Sequence, residues 1–302
     1  TRAENAILTL NTLFYLKADN AVIDLNVGTG KSIIQTGDSK TGKGTVFDLK
    51  ASTLDIVSDA GIQSAYFKLN ASELSFTHKT ETATQPGSLG GYFELSNGST
   101  VNSDKTFLYA AFVEKGSTFD AGTLSMAGSS ANISDYWKNI SSGMKMNSLD
   151  IDGTMSIAGT QTVTDIAVSG TLNIAGALTI SGVMTVDSGA SVNGGENATI
   201  TNNGMIFNNG TITMTKTEGS YIVGKGAKFI AGANSIATFP KNTSVDSVSG
   251  TGKVTGYTPE TDAKNANLSS ETGVNTALVN NYLKAGMDVK LPSGGLTIPE
   301  KE

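Results

Sequence analysis

Short alternating phrases punctuated by glycine return throughout this chain, and they restrict its fold more than anything else in it. Gly153-Thr-Met-Ser-Ile-Ala, Gly170-Thr-Leu-Asn-Ile-Ala, Gly176-Ala-Leu-Thr-Ile-Ser and Gly182-Val-Met-Thr-Val-Asp each place two apolar residues around one small polar residue after a glycine. Alternation of this kind puts the apolar pair on one face of a very short strand and the polar residue on the other. Strands this short bury little by themselves. Asn202-Asn203-Gly204 and Asn208-Asn209-Gly210 follow, and Asn and Gly are the residues that take the left-handed backbone of a sharp corner. Three such strands and corners make a coil of roughly 18 to 24 residues, the size of one winding in a repeat architecture.

The N-terminal half repeats a different phrase at a similar period. Phe14-Tyr-Leu16-Lys-Ala18, Phe47-Asp-Leu49-Lys-Ala51, Phe67-Lys-Leu69-Asn-Ala71 and Phe93-Glu-Leu95-Ser-Asn97 share one pattern, and Phe119 follows at a like interval. The phenylalanines are expected to stack inside successive coils, with Lys79 to Gly91 as a loop that absorbs irregular spacing. The fold expected is all-β, a parallel β-helix (β-solenoid), and the long, variable coil favours the right-handed form. The rival is an antiparallel hairpin at MIFNNGTITM, since Asn-Gly between alternating runs is also a hairpin signal. Stacked coils are preferred because they pair each strand above and below and close a continuous core.

The expected organisation is irregular coils over 1–128, a polar excursion over 129–145, regular glycine-punctuated coils over 146–257, and a cap over 258–302. In that last part Ser269 or Ser270 is positioned to cap a helix with Val274, Ala277, Leu278, Tyr282 and Ala285 on one side, ended by Gly286. This short C-terminal helix or tail would cover the unpaired edge of the last rung.

Composition narrows the function. The net charge is −6 and Arg2 is the one arginine, whereas a nucleic-acid interface needs clustered Lys and Arg, so no nucleic-acid partner is expected. Cysteine is absent, which removes disulfides and thiolate metal sites. No apolar run approaches the roughly 20 residues of a membrane span, and Thr1-Arg2-Ala3-Glu4 lacks the layout of a secretory signal.

Chemistry-bearing motifs are few. Asn26 to Ser32, NVGTGKS, resembles the end of a phosphate-binding loop, but Leu25 stands where its first glycine belongs and a β-branched run follows where a helix must open. His78 is the sole histidine and has no Gly-x-Ser-x-Gly partner motif. Asp150 and Asp152, two apart, share a strand face and are the candidates for calcium or for paired acid and base work. The Asn-x-Ser/Thr sequons at Asn70, Asn97, Asn132, Asn139, Asn197, Asn209, Asn242 and Asn267 follow from composition. Tyr136 and Trp137, in the excursion, are the candidate ligand contacts. No catalytic residue, resident metal or cofactor is expected, and no enzyme.

The rungs GTLNIAGALTISG and TNNGMIFNNGTITM, the lack of cysteine, the low charge and the wealth of Ser, Thr and Asn resemble passenger domains of type V bacterial autotransporters, including the vacuolating-cytotoxin-like group. The likeness is clearest over 146–237 and diffuse over 1–128. It implies a right-handed parallel β-helix on the surface of a Gram-negative cell, used for adhesion or toxin action. A C-terminal membrane barrel of alternating strands, part of that family's pattern, is not in this sequence. The function expected is a non-enzymatic adhesin or self-associating rod whose partner is a host protein, a glycan or itself. The alternatives are a structural subunit of a surface layer, sheath or filament, and a polysaccharide-active tailspike-like enzyme.

Overall fold

The structure is a computed structural model, and it describes residues 9–10, 15–26, 35–36, 45–58, 61–78, 88–126, 147–216, 219–239, 248–254, 265–270 and 274–292. Among the described residues the chain is nearly all-β and winds as a parallel β-solenoid with one short helix near its C-terminus. The largest sheet has 22 strands, which divide equally into two columns. Face A runs from Tyr15–Asp19 through Thr45–Lys50, Gly61–Asn70, Ser88–Ser96, Lys105–Val113, Ser148–Ile151, Asp165–Val168, Val183–Val186, Met205–Asn208 and Lys228–Ala231 to Val248–Gly250, each strand parallel to the next. Face B runs likewise from Val22–Asn26 to Lys253–Val254. A third face, C, stacks Thr160–Val163, Ala177–Ile180, Thr199–Asn202 and Tyr221–Val223. Met205–Asn208 and Thr211–Met214 do not pair with each other; each pairs in parallel with the rungs before and after, so the hairpin reading of NNG fails.

The inward residues pile into files. On face A, Leu149, Ile166, Met184, Ile206 and Phe229 lie in register and all are buried. Phe47, Phe67 and Phe93 stack at 5.0 Å and 4.6 Å between ring centroids, with interplanar angles of 7° and 15°. Each such pair adds about 0.5–1.5 kcal/mol beyond the area it buries.

Three expectations about the first half change. Phe119 lies on face B, in register with Val101 and Met155, and meets Phe93 across the core with its ring tilted by 45°. Leu16, not Phe14, pairs with Phe47, so the first phrase is shifted by two residues relative to the others, and Phe14 lies outside the described residues. A shift by two keeps the same side chains inward, which is why alternation alone leaves it open. Residues 88–91, assigned to a loop, begin the strand Ser88–Ser96. Leu89 there fills the core, and Gly91 takes φ +152 where a Cβ would lie 1.8 Å from the Ala65 carbonyl oxygen. Only glycine fits that bend. It sits beside a register shift in the pairing of Gly61–Asn70 with Ser88–Ser96.

The two Asn-Gly corners do not use the left-handed backbone expected of them; no residue from Asn202 to Gly204 or from Asn208 to Gly210 has a positive φ, and the corners are held by inward side chains instead. Asn202 is fully buried; its Nδ2 donates to the Tyr221 hydroxyl and the Lys228 carbonyl, both at 3.0 Å, while its Oδ1 accepts from Gly204 N at 3.0 Å. Asn208 repeats the device, donating to Ile236 O at 3.1 Å and accepting from Gly210 N at 3.2 Å. A buried amide can replace corner backbone partners because it carries both donors and acceptors.

The helix spans Thr276–Lys284. Its cap is Asn275, whose side chain accepts from Leu278 N at 2.9 Å, in place of Ser269 or Ser270. Gly286, at φ +75, follows its end as expected. Val279 and Tyr282 are buried, whereas Ala277 is exposed. With the parallel pair Asn265–Asn267 and Asp288–Lys290, the helix packs on the outward side of face A against Phe207 and Ile230, with Met205 and Val183 beside them. Tyr282 meets the Phe207 ring edge-on at 4.9 Å. The helix therefore shields a lateral face of these rungs, and this explains why Phe207 and Ile230, which alternate outward, are apolar. No helix among the described residues is long and apolar enough to cross a membrane.

Candidate binding face

Face B is reached from face A through a corner that carries a small residue in every rung. In the first half this residue is serine: Ala21 N donates to Ser52 Oγ, Ser52 N to Ser72 Oγ and Ser72 N to Ser99 Oγ, all at 3.1 Å. Each hydroxyl in turn donates to a carbonyl of its own rung, at 2.8 Å for Ser52, 2.9 Å for Ser72 and 2.6 Å for Ser99. The next corners carry glycine. A Cβ at Gly153 would stand 2.3 Å from Ser117 O, and one at Gly170 2.0 Å from Gly153 O. Close approach of the backbone at this corner keeps the strands that follow it in register.

Those strands present two outward files. Thr100, Thr118, Thr154, Thr171, Ser191 and Thr211 follow one another in one file; Asn102, Asp120, Ser156, Asn173, Asn193 and Thr213 form the other. Between them Val101, Phe119, Met155, Leu172, Val192 and Ile212 point inward and are buried. Along the second file Asn193 Nδ2 donates to Asn173 Oδ1 at 3.1 Å, and Asn173 Nδ2 to Ser156 Oγ at 3.4 Å. Nearer the N-terminus the same file holds Asp55 and Ser75, whose hydroxyl donates to the Asp55 carboxylate. From Thr154 to Thr213 the two files contain hydroxyls and amides only, with no charge and no aromatic ring. The outward signal is in the sequence as Thr-x-Ser, Thr-x-Asn, Ser-x-Asn and Thr-x-Thr after each corner. Reading the polar residue merely as a spacer between apolar ones hides it.

The outward side of face A is closed in a different manner. Tyr15 donates its hydroxyl to Asp48 Oδ2 at 2.6 Å, and Tyr66 donates to Glu94. Tyr66 and Tyr92 are buried, and burial raises both phenol pKa values well above the ordinary range, helped by Glu94 for Tyr66 and by Tyr109 for Tyr92.

Asp150 lies on the strand Ser148–Ile151 and faces outward, while Asp152 follows at the corner. Asp187 adds a third carboxylate to their surroundings and accepts from Ser169 Oγ at 2.9 Å. Although the Asp150 residue is exposed, partial burial of its carboxyl, then the charges of Asp152 and Asp187, raise its pKa above the usual carboxylate value. Among the described residues no group of three or more His, Cys, Asp or Glu side chains is arranged to hold a metal ion. Tyr136 and Trp137 lie outside the described residues, as do residues 27–34 of the GTGKS stretch. His78 ends the strand Glu73–His78 and pairs along the backbone with Ser58. An open groove of about 440 Å³ runs along Asn265–Asn267 and Asp288–Lys290.

No protein-family model, curated protein sequence or solved structure matches this chain.

Proposed function

We propose that this chain is a non-enzymatic binding rod displayed on a bacterial cell surface, an adhesin-like passenger whose partner is a host protein, a glycan or a neighbouring copy. The observation that supports it is face B, where like side chains repeat in register from rung to rung and remain accessible. Such a face offers many individually weak polar contacts at once, and simultaneous engagement multiplies their effect. The resemblance to autotransporter passengers supports the same reading and supplies the location.

The test is a screen of the purified chain against glycan arrays and immobilised extracellular-matrix proteins, run beside sedimentation velocity over a range of concentrations. Saturable binding or self-association that weakens when face B is altered is expected. Absence of both, with turnover of a polysaccharide in its place, overturns the reading.

A further inference from the structure

We propose that the neutral part of face B, centred on Thr154, Thr171, Ser191 and Thr211 with Asn173 and Asn193 alongside, binds the surface of ice. This goes beyond the partners of the binding-rod reading by giving one face a different ligand, and it rests on that reading only in requiring the face to be open.

Four observations select the occupant. The side chains repeat in two directions, about 4.8 Å from rung to rung and about 6.7 Å from one outward residue to the next along a strand. No bulge interrupts the register from Thr154 through Thr171 and Ser191 to Thr211. A dissolved ligand is gripped by unlike groups converging in a pocket; small neutral polar groups repeated on a lattice suit an occupant that is itself a lattice.

Charge is the second observation. The chain is net −6, yet these rungs carry no ionised group on the face. Ionised groups hold their own hydration shells and would keep a water lattice from joining the protein, so a chargeless window suits ordered water and disfavours ionic partners. The third is the missing aromatic ring: crystalline polysaccharide is held by flat aromatic platforms, and this face has none to stack on a sugar.

The fourth is area. Four rungs at this spacing and a strand about four residues wide give roughly 250 Å², about a third of the roughly 800 Å² that each partner contributes to a stable dimer. A second copy is therefore a poor match. Threonine joins a hydroxyl, which can occupy a water position, to a methyl that has no bond to offer and leaves neighbouring water to bond to itself. The Asn193 to Asn173 and Asn173 to Ser156 bonds hold part of the array in place before anything binds, which lowers the ordering cost of association.

The experiment uses the full chain in three forms: wild type, Thr171→Tyr in the centre of the array, and Lys225→Tyr at an exposed corner elsewhere. Far-UV circular dichroism and the urea midpoint verify that all three fold alike, and Ser191→Lys provides a second face variant should Thr171→Tyr fail to fold. The readouts are partition into a slowly growing ice hemisphere and the gap between melting and freezing of a single crystal. Wild type and Lys225→Tyr are expected to enter the ice and open the gap, with uptake by Thr171→Tyr falling about tenfold as simultaneous contacts are lost. Exclusion of the wild type from ice overturns the proposal, as does equal uptake by the two tyrosine variants. Binding to microcrystalline cellulose that depends on Thr171, without ice uptake, would assign the face to a polysaccharide; a Thr171-dependent dimer without ice uptake would assign it to a second copy. Either result overturns the ice proposal while leaving the binding-rod reading standing.

Discussion

Replacing Gly170 by alanine adds one methyl group at the point where two rungs come closest. The new Cβ would lie 2.0 Å from Gly153 O and 2.4 Å from Asp152 O. A carbon and a carbonyl oxygen rest at about 3.3 Å, so the rungs must part locally by roughly 1 Å. Two backbone bonds span that gap, Gly170 N to Ile151 O at 2.9 Å and Thr171 N to Gly153 O at 2.8 Å. Weakening both costs about 1 kcal/mol each, and forcing an extra group into a packed site adds about 1–3 kcal/mol. The expected loss is therefore about 3–5 kcal/mol. Gly189→Ala is the reference, because Gly189 has φ +85 and an added methyl there would meet nothing within 4 Å. Its cost is the left-handed backbone alone, about 1–2 kcal/mol. Urea unfolding of both variants, followed by far-UV circular dichroism, gives the comparison. Because a solenoid can open in pieces, amide exchange around Ile151 and Thr171 localises the damage. A Gly170→Ala protein as stable as Gly189→Ala would refute the claim that rung-to-rung contact at this corner limits side-chain size.

Other perturbations probe other parts of the molecule. Phe67→Ala removes the middle ring of the stack with Phe47 and Phe93 and should cost about 4 kcal/mol in urea unfolding, with Phe67→Leu losing clearly less but still measurably; a Phe67→Leu protein as stable as wild type would mean that stacking adds nothing to burial. Asp150 holds its proton to higher pH when folded than when unfolded, so its contribution is fully present below about pH 3.9 and is lost as pH rises through the raised folded pKa. Asp150→Asn should therefore gain on the wild type in thermal melts at pH 7 and match it near pH 3; parallel profiles across that range would contradict the assigned crowding. Asn275→Ala deletes the helix cap and should destabilise the helix by about 1 kcal/mol, read as faster amide exchange at Val279 and Tyr282 with the rungs unchanged.

What the chain determines by itself is local. Alternation over a few residues decides which side chains of a strand face inward, so the solenoid, its glycine corners and the stack of Phe47, Phe67 and Phe93 are legible from residue order. Gly286 and the apolar residues from Val274 onward likewise announce a helix before it is seen. Pairing between rungs is a different matter, because it depends on backbone bonds between residues about 20 apart and on how loops of unequal length close. A slip of two residues preserves the alternation, and for that reason the partner of Phe47 turned out to be Leu16. Phe119 obeys the same inward rule as Phe93 yet belongs to another face, since the rule says inward without saying from which side. The outward positions are the least constrained locally. Only the stacked structure brings Thr154, Thr171 and Thr211 into one file, and only the returning C-terminal segment shows why Phe207 and Ile230 are apolar where a wet residue would otherwise stand.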